Sequence, residues 1–293
     1  MKESESSGRA GAEERAIRIA IASSIFGAVT KLTAGVITGS MSMISSAVDS
    51  MGDLLVSVSN LFVVRYSNLP PDDDHNFGHA KIEGLGAMFE GGFIFAAGGF
   101  IIYESVHKAL IGEVSHDSTL GIMVMLPVLA VTVGVVLHLR KVARQTGSLV
   151  VKSDATHYMT DVWVNVGVLV SLVLVKLTGL PMIDTVISVG IGLFMLVSSV
   201  QVVREGVDVV MDKSLEPEVV AKVQALLAAC TRIESFHDFK TRRGKIPHVD
   251  FHVVVRSEMT AAALHDLFLE LQRSVRAVAG ETTHVTMHAD PHA

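Results

Sequence analysis

Of the 293 residues, 49% are hydrophobic and only 18% charged, below the roughly 25% charged residues of soluble chains, so a plain soluble enzyme is disfavoured. The net charge of −6 comes with no long basic run, which leaves no electrostatic footprint for nucleic acid. One cysteine, Cys230, and no CxxC pair rule out a disulfide framework and a thiolate zinc site, so any metal must be held by histidines and carboxylates.

Charged residues thin out over the first 213 positions and concentrate in residues 214–293, which places a membrane part before a soluble part. Crossing a bilayer takes about 17 to 25 apolar residues. Six such stretches occur, over roughly 17–39, 41–64, 82–111, 119–139, 155–177 and 182–204. The polar, mixed-charge stretch 1–16 is followed by no small-residue cleavage site, so it reads as a retained tail rather than a signal peptide. The organisation expected is a tail (1–16), a six-helix transmembrane bundle (17–213) and a soluble domain (214–293).

Lys and Arg in the connections set the orientation. Lys2, Arg9, Arg15 and Arg18 precede the first span, Arg65 and Lys81 flank the second connection, and Arg140, Lys141, Arg144 and Lys152 fill the fourth. Only Lys108 and Lys176 lie on the other side. Both termini are therefore expected in the cytoplasm. The tail domain reads as helix, strand, strand, helix, strand over 217–229, 233–241, 248–256, 261–278 and 282–288, an α+β two-layer sandwich. Val249, Phe251, Val253 and Val255, with Val285 and Met287, alternate so as to face the helices. His252 and His288 point the other way.

Asp49 and Asp53 in the second span, and His157 and Asp161 in the fifth, are each spaced i, i+4, which stacks each pair on one helical face. An Asp at the centre of a membrane helix costs on the order of 2.5 to 3.5 kcal/mol on insertion scales, so such groups face a partner or an aqueous cavity. Two helices offering two ligands each can close a shell of three carboxylates and one imidazole around a divalent cation, a set that suits zinc and tolerates iron, cobalt or cadmium. The plainer reading is polar glue between helices, which is more often Ser, Thr or Asn than carboxylate. Asn165, one turn further on, fits the glue role or that of a coordination neighbour. Glu83 and Glu90, seven apart on the third span, fit either the lining of a hydrated path or a paired structural role. Between the second and third spans, the Pro- and Asp-rich loop 70–81 presents Asp72, His75 and His79, a second candidate cation site beside the plainer reading of a solvated acidic loop.

These elements resemble the cation diffusion facilitator family, most closely its bacterial zinc and iron efflux branch. The resemblance runs from the first span to His288-Ala289-Asp290-Pro291. It rests on Asp49-x-x-x-Asp53 with His157-x-x-x-Asp161, and on the loop Asp72-Asp73-Asp74-His75-Asn76-Phe77-Gly78-His79-Ala80-Lys81. It implies a homodimer in a lipid bilayer, the bacterial inner membrane, exporting divalent metal in exchange for protons, with a ferredoxin-like (metallochaperone-like) cytoplasmic domain. By the same resemblance, Asp49, Asp53, His157 and Asp161 form the transport site and Asp72, His75 and His79 a loop site. His237, His252, His265, His288 and Asp290 match a cytoplasmic binuclear site at the dimer interface, and Lys81 and Asp212 match charge pairs joining the two parts. His248, His284 and His292 have no motif match and read as surface residues. The glycine pairs Gly91-Gly92 and Gly98-Gly99 read as close helix packing.

Zn2+ is the expected substrate, with Fe2+, Cd2+ and Co2+ as further candidates, and no catalytic cofactor is expected. A metal-dependent intramembrane hydrolase is a second hypothesis, but neither HExxH nor GxGD occurs, and a non-enzyme is expected. The alternative retained is a metal-sensing or scaffolding membrane protein with little transport.

Overall fold

The computed structural model describes residues 2–38, 41–111, 119–180 and 182–291; some side chains within those ranges, Asp49 and Lys176 among them, lie outside the described set, as does His292. The chain divides into two compact units, Met1–Val207 and Asp208–Ala293.

Among the described residues the first unit contains six long helices, the last of which runs on past Val207: α1 (Lys2–Thr38), α2 (Met41–Ser67), α3 (Ile82–Ile111), α4 (Thr119–Thr146), α5 (Leu149–Thr178) and α6 (Met182–Val210). α1 begins at Lys2, so the polar N-terminal stretch is helical and its Ala16 packs into the core. That core joins four helices through Ile17 and Ala20 of α1, Val64 of α2, Val135 and Leu139 of α4, and Val150, Val151 and Tyr158 of α5. Large apolar side chains such as Val36, Phe62, Leu110 and Val197 face outward, as expected where the surrounding solvent is lipid.

Among the described residues, four segments are long and apolar enough to cross a membrane: Gly8–Ala34, Ile82–Ile111, Met125–Thr146 and Thr185–Val210. α2 and α5 carry Asp53, Asp154, His157 and Asp161, with Asp49 one turn before Asp53.

The glycine pairs divide by face. A Cβ on Gly91 would meet Val203 at 2.7 Å and the Ser199 carbonyl at 3.1 Å, and one on Gly98 would meet Met195 at 2.9 Å and the Gly192 carbonyl at 3.0 Å. Both therefore let α3 close on α6. Gly92 and Gly99 have nothing within 4 Å. The sharp α4–α5 corner turns at Gly147, whose φ of 75° favours glycine.

The second unit contains α7 (Pro217–Ala228), β1 (Ser235–Arg242), β2 (His248–Val255), α8 (Ala261–Ala279) and β3 (His284–Pro291). Pro217 opens α7, and Thr260 caps α8 by accepting the Ala263 N–H. The sheet order is β1-β2-β3, with β1 antiparallel and β3 parallel to β2. β3 runs three residues beyond the expected end because its ladder continues to the Val255–Pro291 pair. Val249, Phe251, Val253 and Val255 pack with Val223, Leu227, Leu267, Leu271, Val275 and Val285 into one core. Full burial of a side chain such as Phe251 contributes roughly 1.5 to 3 kcal/mol. The opposite sheet face carries the histidines.

Candidate metal centres

α2 and α5 pack so that Asp53 and His157 face each other. His157 Nε2 lies 3.2 Å from Asp53 Oδ1 and 3.9 Å from Asp161 Oδ2, and one ligand atom from each of the three falls within 4.8 Å of the others. The His157 side chain is almost fully buried, while Asp53 and Asp161 are partly open. Phe93 of α3 and Tyr158 stand edge-on to the imidazole, each with ring centroids 5.8 Å away. Two carboxylates and one imidazole at this spacing are a hard-to-borderline donor set of the kind that takes a divalent cation. Asp49 stands one turn before Asp53 on α2; its side chain lies outside the described residues. Asn165 donates to the Asp161 carbonyl at 2.7 Å, a bond within its own helix rather than between helices.

The connection between α2 and α3 folds back on itself. The Gly78 N–H donates to the His75 carbonyl at 2.8 Å with Gly78 at φ 78°, and this turn brings the two histidines together with ring centroids 4.5 Å apart. Asp72 lies between them, Oδ1 3.3 Å from His75 Nδ1 and Oδ2 3.3 Å from His79 Nε2. The His75 backbone N–H donates to Asp72 at 2.6 Å and, with the two histidines, holds that carboxyl below the usual carboxylate range. His79 is buried against the Tyr66 ring, whereas Asp72 and His75 are exposed.

On the outer face of the sheet, His237 of β1, His252 of β2 and His288 of β3 lie abreast, because His237 pairs with His252 and His252 with His288 in the ladder. Asp290 reaches back among them, 3.2 Å from His237 Nε2, 3.1 Å from His252 Nδ1 and 3.4 Å from His288 Nε2. His265 is exposed on α8 and joins none of these groups within one protomer. His248 and His284 also pair across the sheet, with ring centroids 5.0 Å apart, but Arg242 Nη2 stands 3.3 Å from His248 Nδ1, which places a cation where a metal would sit.

Sequence reading missed several polar groups. Lys31 of α1 is buried and donates to Ser50 Oγ at 2.9 Å. Asn60 of α2 donates through Nδ2 to both Glu90 Oε2 at 3.2 Å and Asp154 Oδ1 at 3.0 Å, and Ser153 donates to Glu90 Oε2 at 2.5 Å. Asp238, at φ 48° in a β1 irregularity, brings its carboxylate within 3.8 Å of His252 Nε2. Lys240 donates to that carboxylate and keeps it below its ordinary range. Glu83 and Glu90, taken together in the sequence, have separate partners. Glu83 accepts from Ser67, Ser148 and the Leu149 N–H, fixing the first turn of α5.

Comparison with known proteins covers most of the chain. The family model of the cation efflux transmembrane domain matches residues 17–211, and that of the cation efflux protein cytoplasmic domain matches residues 215–292. The chain is 32% identical over 267 residues to an uncharacterized transporter of Synechocystis sp., covering 89% of this chain and 84% of that protein. It is 30% identical to the cation-efflux pump FieF of Cronobacter sakazakii, covering 90% of this chain and 87% of the pump, and 30% identical to that of Citrobacter koseri, covering 94% and 92%. With both units matched and relatives aligned over most of their length, this chain belongs to the cation efflux family, the cation diffusion facilitators.

Proposed function

We propose that this integral membrane protein exports Zn2+ from the bacterial cytoplasm in exchange for protons by alternating access, with Fe2+, Cd2+ and Co2+ as further substrates. The observation that carries the reading is the convergence of Asp53, His157 and Asp161 from α2 and α5. Asp49 is the fourth ligand in this reading. A cation binds when imidazole is neutral and the carboxylates are ionised, so protons compete for the same atoms, and that competition couples the two fluxes.

In this reading all six long helices cross the inner membrane within a transmembrane domain of residues 17–213, preceded by a cytoplasmic tail (1–16). Both termini are cytoplasmic, and residues 214–293 form a ferredoxin-like domain through which two copies associate. Asp72, His75 and His79 form a loop site on the cytoplasmic side. His237, His252, His288 and Asp290, with His265 contributed across the dimer, hold regulatory metal. The strand order and the histidine face of the second unit support this assignment.

The test is metal uptake by proteoliposomes under an imposed pH gradient, run with Zn, Cd, Fe, Co and Mn separately. Zinc uptake that follows the gradient is expected. Binding of zinc without movement of any metal would favour the sensing or scaffolding alternative.

A further inference from the structure

Glu90 and Asp154 are both fully buried, on α3 and α5, and both accept from the single amide of Asn60. Neither belongs to the transport ligands. Ser153 adds a second donor to Glu90 Oε2, leaving Glu90 Oε1 and Asp154 Oδ2 buried without a hydrogen-bond partner. His157 Nδ1, one turn along α5 from Asp154, is likewise buried and unpartnered. A buried polar atom without a partner is destabilising, so three in one region require a common explanation.

The groups around Glu90 define its chemistry. α5 presents Asp154, Ser153 and His157, and α2 presents Asn60, with Asp53 beyond it. On the α6 side, the residues at the adjoining Gly91 are Ser199 and Val203, both uncharged. On α3 itself, Glu83 is engaged by Ser67, Ser148 and Leu149. Among the described residues no Lys or Arg side chain bonds to Glu90 or Asp154. Two anionic carboxylates sharing one amide in a water-poor pocket repel each other, and the amide N–H groups pointing at both oppose a metal ion between them. A proton shared by the pair satisfies both constraints.

The geometry points to Glu90 as a second proton-carrying carboxyl of the exchange cycle, placed between the α2–α3 loop end of the bundle and the Asp53, His157 and Asp161 cluster. The inference rests on the metal and proton exchange proposed above. When metal enters from the loop end, a proton displaced from the transport site is taken up at Glu90 Oε1, so that the Glu90 and Asp154 pair passes from the fully ionised state to the state with one shared proton. It then leaves to water at the loop end, with no change in redox state. Asn60 and Ser153 hold the carboxyl in place beside Asp154.

The test uses the full-length protein in proteoliposomes carrying an entrapped pH-sensitive dye, with zinc binding measured in parallel. Glu90→Gln keeps the shape and the Asn60 contact but cannot ionise. It is expected to retain the wild-type zinc stoichiometry while zinc-coupled proton flux falls roughly tenfold or more, with an altered pH profile. Glu90→Asp, which can still ionise, is expected to restore most of the flux. Unchanged flux and pH profile in Glu90→Gln would overturn the assignment. So would equal loss in both variants, which marks a structural role, or loss of one bound zinc per protomer, which marks a metal site. A wild-type protein that moves zinc without protons would instead overturn the exchange reading itself, and that is visible before any variant is compared.

Discussion

Asp53 of α2 and His157 of α5 stand 104 positions apart in the chain and meet at 3.2 Å inside the bundle. Their partner Asp161 follows His157 by one turn, so the i, i+4 spacing on α5 presents both ligands to α2 at once. Replacing Asp53 with Asn keeps its volume and removes its charge. Zinc affinity at this site is expected to fall by at least about 10- to 100-fold, the loss typical of even an outer-shell partner, and titration of the purified protein with zinc checks it. Wild-type affinity in Asp53→Asn would remove Asp53 from the site.

The tail cluster should titrate separately. His252 touches Asp290 at 3.1 Å and faces both His237 and His288. His252→Ala is therefore expected to lower the number of zinc ions bound per protomer while leaving the intramembrane zinc in place. Measured stoichiometry in the Asp53→Asn and His252→Ala backgrounds separates the two sites, and the losses should add because the ligand sets share no residue.

Helix packing gives a contrast between neighbouring glycines. Gly98→Ala drives a methyl against the Gly192 carbonyl and Met195, and because backbone cannot step aside the expected cost is about 1 to 3 kcal/mol. Gly99→Ala points into open space and is expected to stay within about 0.5 kcal/mol of the wild type. Thermal unfolding in one detergent measures both.

The acid sensitivity of the tail should depend on His248. Burial first, then the neighbouring Arg242 and His284, hold its pKa below the ordinary 6.5. The unfolded chain then binds the proton more readily than the folded one. Stability is full above about pH 6.5 and declines as the pH falls through the folded pKa. His248→Gln removes this contribution. At pH 5.5 its β2 amides should be better protected from hydrogen exchange, relative to the wild type at the same pH, than they are at pH 7.5. An identical ratio at the two pH values would contradict the assignment.

What the sequence revealed follows from periodicity. Asp53, His157 and Asp161 were legible because i, i+4 spacing fixes a helical face. Val249, Phe251, Val253 and Val255 were legible because alternation fixes a strand face. The Asn60, Glu90, Ser153 and Asp154 network was not, since its members sit on three helices with no repeat spacing to link them, and Lys31 reads as an isolated charge. The parallel pairing of β2 with β3, which sets His252 opposite His288, is likewise non-local. Asp238 approaches His252 only because β1 departs from regular pairing between His237 and Lys240, a bend that no pattern of residue types announces.

The most direct test of the account is zinc uptake into proteoliposomes under an imposed pH gradient, comparing the wild type with Asp161→Ala. The account predicts uptake that rises with the proton gradient in the wild type and is abolished in Asp161→Ala, with the variant still a folded dimer. Zinc uptake by Asp161→Ala at the wild-type rate would contradict it.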